Sequence, residues 1–123
     1  MAKIVVPIVE DRGLDSRIAE HFGRAPYFAV VELNDEGEVT DFRVVSNVGE
    51  HFGGPGYTHD YILELKPDAI LVYGMGPRGL STFQSKGIAV FKAEKDTVKD
   101  VIAAYVRGEL RELTEGCARA HHH

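Results

Sequence analysis

Two short stretches concentrate the side chains able to do chemistry: His21-Phe22-Gly23-Arg24 and Gly74-Met75-Gly76-Pro77-Arg78-Gly79. A neutral imidazole such as that of His21 is a good ligand for iron, zinc or copper. It is equally a hydrogen-bonding cap for a short helix end, and residue type alone leaves both open. Arg24 offers a guanidinium either to an anionic ligand or to one of the chain's 19 carboxylates. The turn built on Gly74 and Gly76, with Arg78 just beyond, reads as a strand-to-helix connection. Free N–H groups and the helix dipole make such a turn attractive to an anion, by about 0.3–1 kcal/mol when exposed. It lacks the Gly-Lys-Ser/Thr ending of a Walker loop, and its glycines are not read as having dinucleotide-loop spacing. His51 and His59 stand eight positions apart with glycines between them. Glycine lets backbone come close to a bulky ligand, and a surface loop has the same composition. Cys117 is a soft thiolate donor or simply an exposed thiol.

The number of donors constrains the chemistry further. A protein-ligated iron–sulfur cluster normally takes four cysteines, and this chain has one. A Cys₂His₂ zinc site is out of reach for the same reason. A single chain can therefore hold a preassembled cluster by only a few bonds, helped by charge and shape. Weak ligation suits a carrier that must release its cargo.

The residues need elements to position them. Ile4 to Val9 is an apolar, β-branched run that reads as a buried strand, loosening near Pro7 because proline donates nothing to a ladder. Leu14, Ile18 and Phe22, spaced by four, suggest one or two helical turns ended by Gly23. Tyr27 to Leu33 and Glu38 to Val45 read as strands joined by the turn Asn34-Asp35-Glu36-Gly37, hence an antiparallel hairpin. Residues 47–56 hold four glycines and form the longest irregular stretch. A helix carrying Tyr61, Ile62 and Leu65 stops before Pro67. Ala69 to Tyr73 is a strand, Pro77 opens a helix that Gly87 ends, and Ile88 to Lys92 is a strand. Val98, Val101, Ile102 and Tyr105 give the last helix one apolar face, closed by Gly108. The order predicts an α/β domain with a mixed sheet and helices on both faces. In such sheets ligands bind beyond the carboxyl ends of the parallel strands, where strand order reverses. The loops over residues 10–24, 47–56 and 74–79 are the candidates for that edge.

The chain has 123 residues, the size of one domain, with 44% hydrophobic and 27% charged residues. Its formal net charge is −5 and it has no basic stripe, which argues against nucleic acid and anionic membrane as partners. No apolar run approaches the roughly 20 residues of a membrane span, and Met1-Ala2-Lys3 leads straight into a strand with no room for a signal peptide. One cysteine permits no internal disulfide, which fits a cytoplasmic location. The run His121 to His123 is either a purification-tag remnant or a native metal-binding tail.

Four segments resemble the dinitrogenase iron–molybdenum cofactor biosynthesis family, the group of NifX, NafY and the NifB C-terminal domain. They are Lys3-Ile4-Val5-Val6-Pro7, Asp15-Ser16-Arg17, residues 21–28 (HFGRAPYF) and residues 74–78 (GMGPR). The ending Leu113-Thr114-Glu115-Gly116-Cys117 looks like that of stand-alone members. The resemblance implies one domain over residues 1–117; residues 118–123 are expected to be a flexible tail, as chain ends commonly are. It also implies a ribonuclease-H-like motif: a five-stranded mixed sheet flanked by helices. It implies binding of an iron–sulfur cluster, an iron–molybdenum cofactor precursor or a molybdenum–copper sulfide, with the histidine of the HFG stretch, here His21, as a ligand. The leading expectation is a non-catalytic carrier for such a cluster, a monomer or homodimer that deals with cluster-assembly proteins. In it His21 ligates, Arg24 and Arg78 offset charge, Gly74 and Gly76 line the site, and His51, His59 and Cys117 are further metal ligands. The alternatives are a ribonuclease-H-like nuclease or phosphotransferase, which needs clustered carboxylates, and a regulatory protein-interaction module.

Overall fold

The computed structural model describes residues 2–47 and 61–113. His51, His59, Cys117, the glycine-rich stretch from residue 48 and the histidine tail lie outside the described residues. Five strands form one sheet: β1 (Ala2–Ile8), β2 (Tyr27–Leu33), β3 (Val39–Ser46), β4 (Ala69–Val72) and β5 (Ala89–Lys92). Two α-helices are described from end to end, α1 (Pro77–Ser85) and α2 (Val98–Val106), and residues 61–64 are also helical.

The sheet order is β3-β2-β1-β4-β5. β1 pairs antiparallel with β2 and parallel with β4, β2 pairs antiparallel with β3, and β4 pairs parallel with β5. The sheet is thus mixed, and the hairpin and parallel unit fall where connection length requires. Alternation along the strands divides the core. Val5, Phe28, Val30, Ile70 and Val72 pack with Ile62, Leu80 and Phe83 on one face. Ile4, Val6, Ile8, Val31 and Leu71 pack with Val98, Val101 and Ile102 on the other. Both faces are covered by helix, which is why β1 and β4 read as unbroken apolar runs. Thr97 caps α2, its hydroxyl accepting from the Asp100 amide at 3.3 Å.

Two expectations need correction. β1 does not loosen at Pro7, which stays in register opposite Phe28. The parallel register with β4 covers only Ile4 and Val5, so the missing donor falls where β4 no longer pairs. The Pro7 carbonyl instead accepts from the Ala19 amide at 2.9 Å. The second correction is larger. No helix runs from Leu14 to Phe22; two separate 3-10 turns, Gly13–Asp15 and Phe22–Arg24, flank an extended stretch. Ile18 bridges Ile8, and Arg17 bridges Thr97. Ile18 packs on one face of the sheet and Phe22 on the other, so their spacing of four is not a helical stripe. Tertiary partners stabilise the extended form: the Ile18 amide donates to Asp96 O at 2.9 Å and the Val98 amide to Ser16 O at 3.0 Å.

Residues after α2, for which the sequence predicts no element, pair with the sheet. Glu112 bridges Phe91, and the Leu113 amide donates to Val90 O at 2.7 Å, so the outer edge of β5 is paired.

Candidate functional site

From β1 the chain turns to one side to make β2 and β3, while β4 lies on the other side of β1. That reversal opens a crevice beyond the carboxyl ends of β1 and β4. A cavity of about 540 Å³ sits there, walled by residues 20–24 on one side and by Tyr73–Gly76, Arg78 and Gly79 on the other. His21, Arg24, Gly74, Gly76 and Arg78, some 50 positions apart in the chain, therefore share one cavity.

Phe22 explains how the first wall is held. Its ring is buried 5.3 Å from the ring of Phe28 on β2 and 5.7 Å, edge-on, from Phe83 on α1. This anchor pins the turn to the core and leaves His21 and Arg24 exposed on either side. Asn47 closes the turn from below, its amide group donating to the carbonyl of Ala25 at 2.8 Å and of Gly23 at 3.3 Å. Further back, buried Ser16 accepts from the Arg12 amide at 2.7 Å, which ties down the loop leading to His21. The second wall is the exit of β4, fixed by buried Met75 and by Leu80 of α1.

His21 sits just before the second 3-10 turn, and its imidazole makes no capping hydrogen bond. The structural alternative to a ligand role thus has no contact behind it. Among the described residues neither Arg24 nor Arg78 has a carboxylate within ion-pair distance; the described pairs join Arg17 to Glu10, Arg43 to Asp41, Arg107 to Glu109 and Arg111 to Glu94. Glu20 is the one carboxylate among the residues lining the cavity. Tyr73 lines it too. Burial, and then the charges of Asp96 and Glu20, push its phenol above the ordinary tyrosine value. It stays neutral, and its hydroxyl donates a hydrogen bond to the Lys95 carbonyl at 2.6 Å. Sequence reasoning missed Glu20, Phe22 and Tyr73 as parts of the site. Only Phe22, within the HFGR stretch, carried a signal.

Gly23 and Gly76 are informative in another way. Neither has a positive φ, and a Cβ built on either meets no atom within 4 Å. The fold requires glycine at neither position. What glycine does there is leave the cavity wall as bare backbone, open to close approach by a large ligand.

One sequence reading is corrected here. Gly74, Gly76 and Gly79 do have G-x-G-x-x-G spacing, and they join β4 to α1 within a parallel βαβ unit. Other facts speak against a dinucleotide. Pro77 at the first helical position has no N–H to offer a pyrophosphate. Glu94, where a ribose-binding acid would stand, is held by Arg111 at 2.9 Å. Nor does size select the site. A hollow of about 630 Å³ at the opposite end of β1 is larger, but its lining includes Asp35 and Glu36 and no cationic side chain or histidine. An anion has reason to choose the crevice instead. The described residues contain no group of three or more His, Cys, Asp or Glu placed to hold a metal ion. No described helix is long and apolar enough to cross a membrane.

The family model described as dinitrogenase iron-molybdenum cofactor matches residues 2–108. The chain belongs to that family. An uncharacterized protein of Methanocaldococcus jannaschii is 30% identical to this chain over 115 residues, covering 92% of each chain. Among solved structures, a Thermotoga protein provisionally designated NifB is similar to this family member at 26% identity and a TM-score of 0.75, over 93% of this chain and 95% of that one. The apo form of the orange protein from Desulfovibrio gigas superposes with a TM-score of 0.79 over 94% of this chain and 95% of that one. Its identity is 24%, so the likeness is one of fold.

Proposed function

We infer that this protein binds an anionic metal–sulfur cluster, or a precursor of one, in the crevice between β1 and β4 and carries it without converting it. One observation carries the reading: an uncapped imidazole, two guanidinium groups without described carboxylate partners and bare glycine backbone line the same cavity. His21 supplies a metal–nitrogen bond. Arg24 and Arg78 offset the negative charge of the sulfides, and Gly23, Gly74 and Gly76 let the cluster sit against the main chain. His51, His59 and Cys117 are candidates for further bonds. An open crevice with one described ligand holds its cargo loosely, which suits delivery to an assembly protein.

Membership in a family named for the iron–molybdenum cofactor supports this class of cargo. An iron–sulfur cluster, an iron–molybdenum precursor and a molybdenum–copper sulfide share the chemistry that the crevice recognises. The strand order, with its antiparallel hairpin beside a parallel pair, supports reading the fold as a ribonuclease-H-like motif. A single cysteine suits a reducing, cytoplasmic setting, where such clusters survive.

The test is anaerobic reconstitution, with iron and sulfide in one arm and tetrathiomolybdate and copper in the other. A stoichiometric charge-transfer band that weakens in His21→Ala and in Arg24→Gln/Arg78→Gln is expected. No band in either arm, or one indifferent to all three residues, removes the proposal.

A further inference from the structure

The sheet has two edges, and they differ. The outer edge of β5 is paired by residues 111–113, through the Lys92 amide to Arg111 O at 2.8 Å and the Leu113 amide to Val90 O at 2.7 Å. β3 is the other edge, eight residues long, and among the described residues no segment pairs with its outer side. A long unpaired edge is a template for another strand. We propose that β3 pairs antiparallel with β3 of a second copy of this chain, about a two-fold axis at Phe42.

The register follows from hydrogen-bond parity and charge. The Asn47 amide donates to Pro26 O at 3.0 Å, and Phe28 stands opposite Val45, Val30 opposite Arg43. In an antiparallel ladder the bonded pairs alternate. Val45, Arg43 and Asp41 therefore direct their main-chain groups toward β2, and Val44 and Phe42 direct theirs outward; before Asp41 the ladder shifts register, Leu33 standing opposite Val39, so the regular pairing surface runs from Asp41 to Ser46. A two-fold pair of β3 strands must join these outward residues to one another, which restricts the axis to a few positions. An axis at Asp41 sets Asp41 against itself, and an axis at Arg43 sets Arg43 against itself. Like charges directly opposite are destabilising. An axis at Val44 leaves both charges without an opposite charge. Only the axis at Phe42 places Asp41 of each copy opposite Arg43 of the other, twice by symmetry.

Those two contacts fall at non-hydrogen-bonded positions, where side chains approach most closely. Both side chains are available. They form only a 3.7 Å contact along their own strand and are about half exposed, at 51% for Asp41 and 49% for Arg43. On the other face of the sheet, Phe42 meets its symmetry mate across a bonded pair, and aromatic pairs at such positions add to sheet stability. The charges that guard this edge against arbitrary strands thus match a second copy in one register. The surface is isologous, as a two-fold dimer requires. It lies at the far edge of the sheet from β4, so pairing leaves the crevice open.

Sedimentation velocity of the full chain tests this, over concentrations up to about 1 mM to catch weak association. The expected result is a concentration-dependent dimer. D41R alone and R43D alone should each be monomeric, because each sets like charges opposite at both contacts. An equimolar mixture of the two should form a heterodimer, and the D41R/R43D double variant should dimerise again. These are exposed positions, and circular dichroism of each variant verifies that it is folded. A wild-type chain that stays monomeric throughout overturns the proposal and leaves the edge to a different extended partner. Single variants that dimerise like the wild type overturn the register.

Discussion

Replacing Gly23 with alanine should move stability and ligand binding in opposite directions. The position has an ordinary backbone conformation, and the added methyl meets no atom within 4 Å, so nothing opposes it in the free protein. Alanine has fewer conformations than glycine to lose on folding. At a compatible site that stabilises by about 0.4–1 kcal/mol. The same methyl stands at the wall of the cavity that holds His21 and Arg78. A cluster seated against bare backbone must shift to admit it. Forcing an extra methyl into a packed contact costs about 1–3 kcal/mol. At 1.4 kcal/mol per tenfold, affinity should fall about 5- to 150-fold. Urea unfolding of the unloaded protein gives the first quantity, and anaerobic titration with the reconstituting cluster, followed by its charge-transfer band, gives the second. A variant that is more stable and binds less well bears out the reasoning. Unchanged binding would show that no ligand approaches Gly23, and lost stability would show that the backbone there needs glycine after all.

Three further outcomes are expected. Phe22→Ala removes the ring wedged between Phe28 and Phe83 and should cost about 3–5 kcal/mol, read as a large drop in Tm; Phe22→Leu, a milder change, should keep the fold while loosening His21 and weakening cluster binding. Glu20→Gln takes away the carboxylate that lines the cavity and should slow cluster release, measured by stopped-flow transfer to a chelator; a faster release would mean that Glu20 is itself a ligand. Glu94 has its carboxyl held below the ordinary glutamate value, first by the hydrogen bond from Arg111 and then by that residue's charge. Its contribution to stability is present above the unfolded value of about 4.3 and is lost as pH falls through the lower folded value. In Glu94→Gln that part of the acid limb should flatten, and hydrogen exchange at Leu113 should quicken near neutral pH; an unchanged acid limb would show that the pair does nothing for the β5 edge.

Much of the framework was legible because its signals are local. β2 matches the expected Tyr27–Leu33, α1 opens at Pro77, and α2 follows Thr97. Alternation, proline position and a hydroxyl cap act within a few residues of where they are read. The stretch from Leu14 to Ile18 was misread for the opposite reason. Its spacing is helical, but its partners are Ile8 on β1 and, far away in sequence, Asp96 and Thr97. Pairing with them outweighs a weak local preference for helix.

The sequence alone determined the chemical repertoire: one imidazole beside a guanidinium in HFGR, glycines and an arginine in GMGPRG, and too few cysteines for a conventional cluster site. It also determined that the domain alternates strand and helix after a hairpin. Only the tertiary structure decided that β1 and β4 lie side by side, that Phe22 turns inward so that His21 and Arg24 stay out, and that both motifs face one cavity. Composition and spacing specify which groups a chain carries. Which of them meet depends on strand order, and strand order is settled by contacts between residues that no local pattern joins.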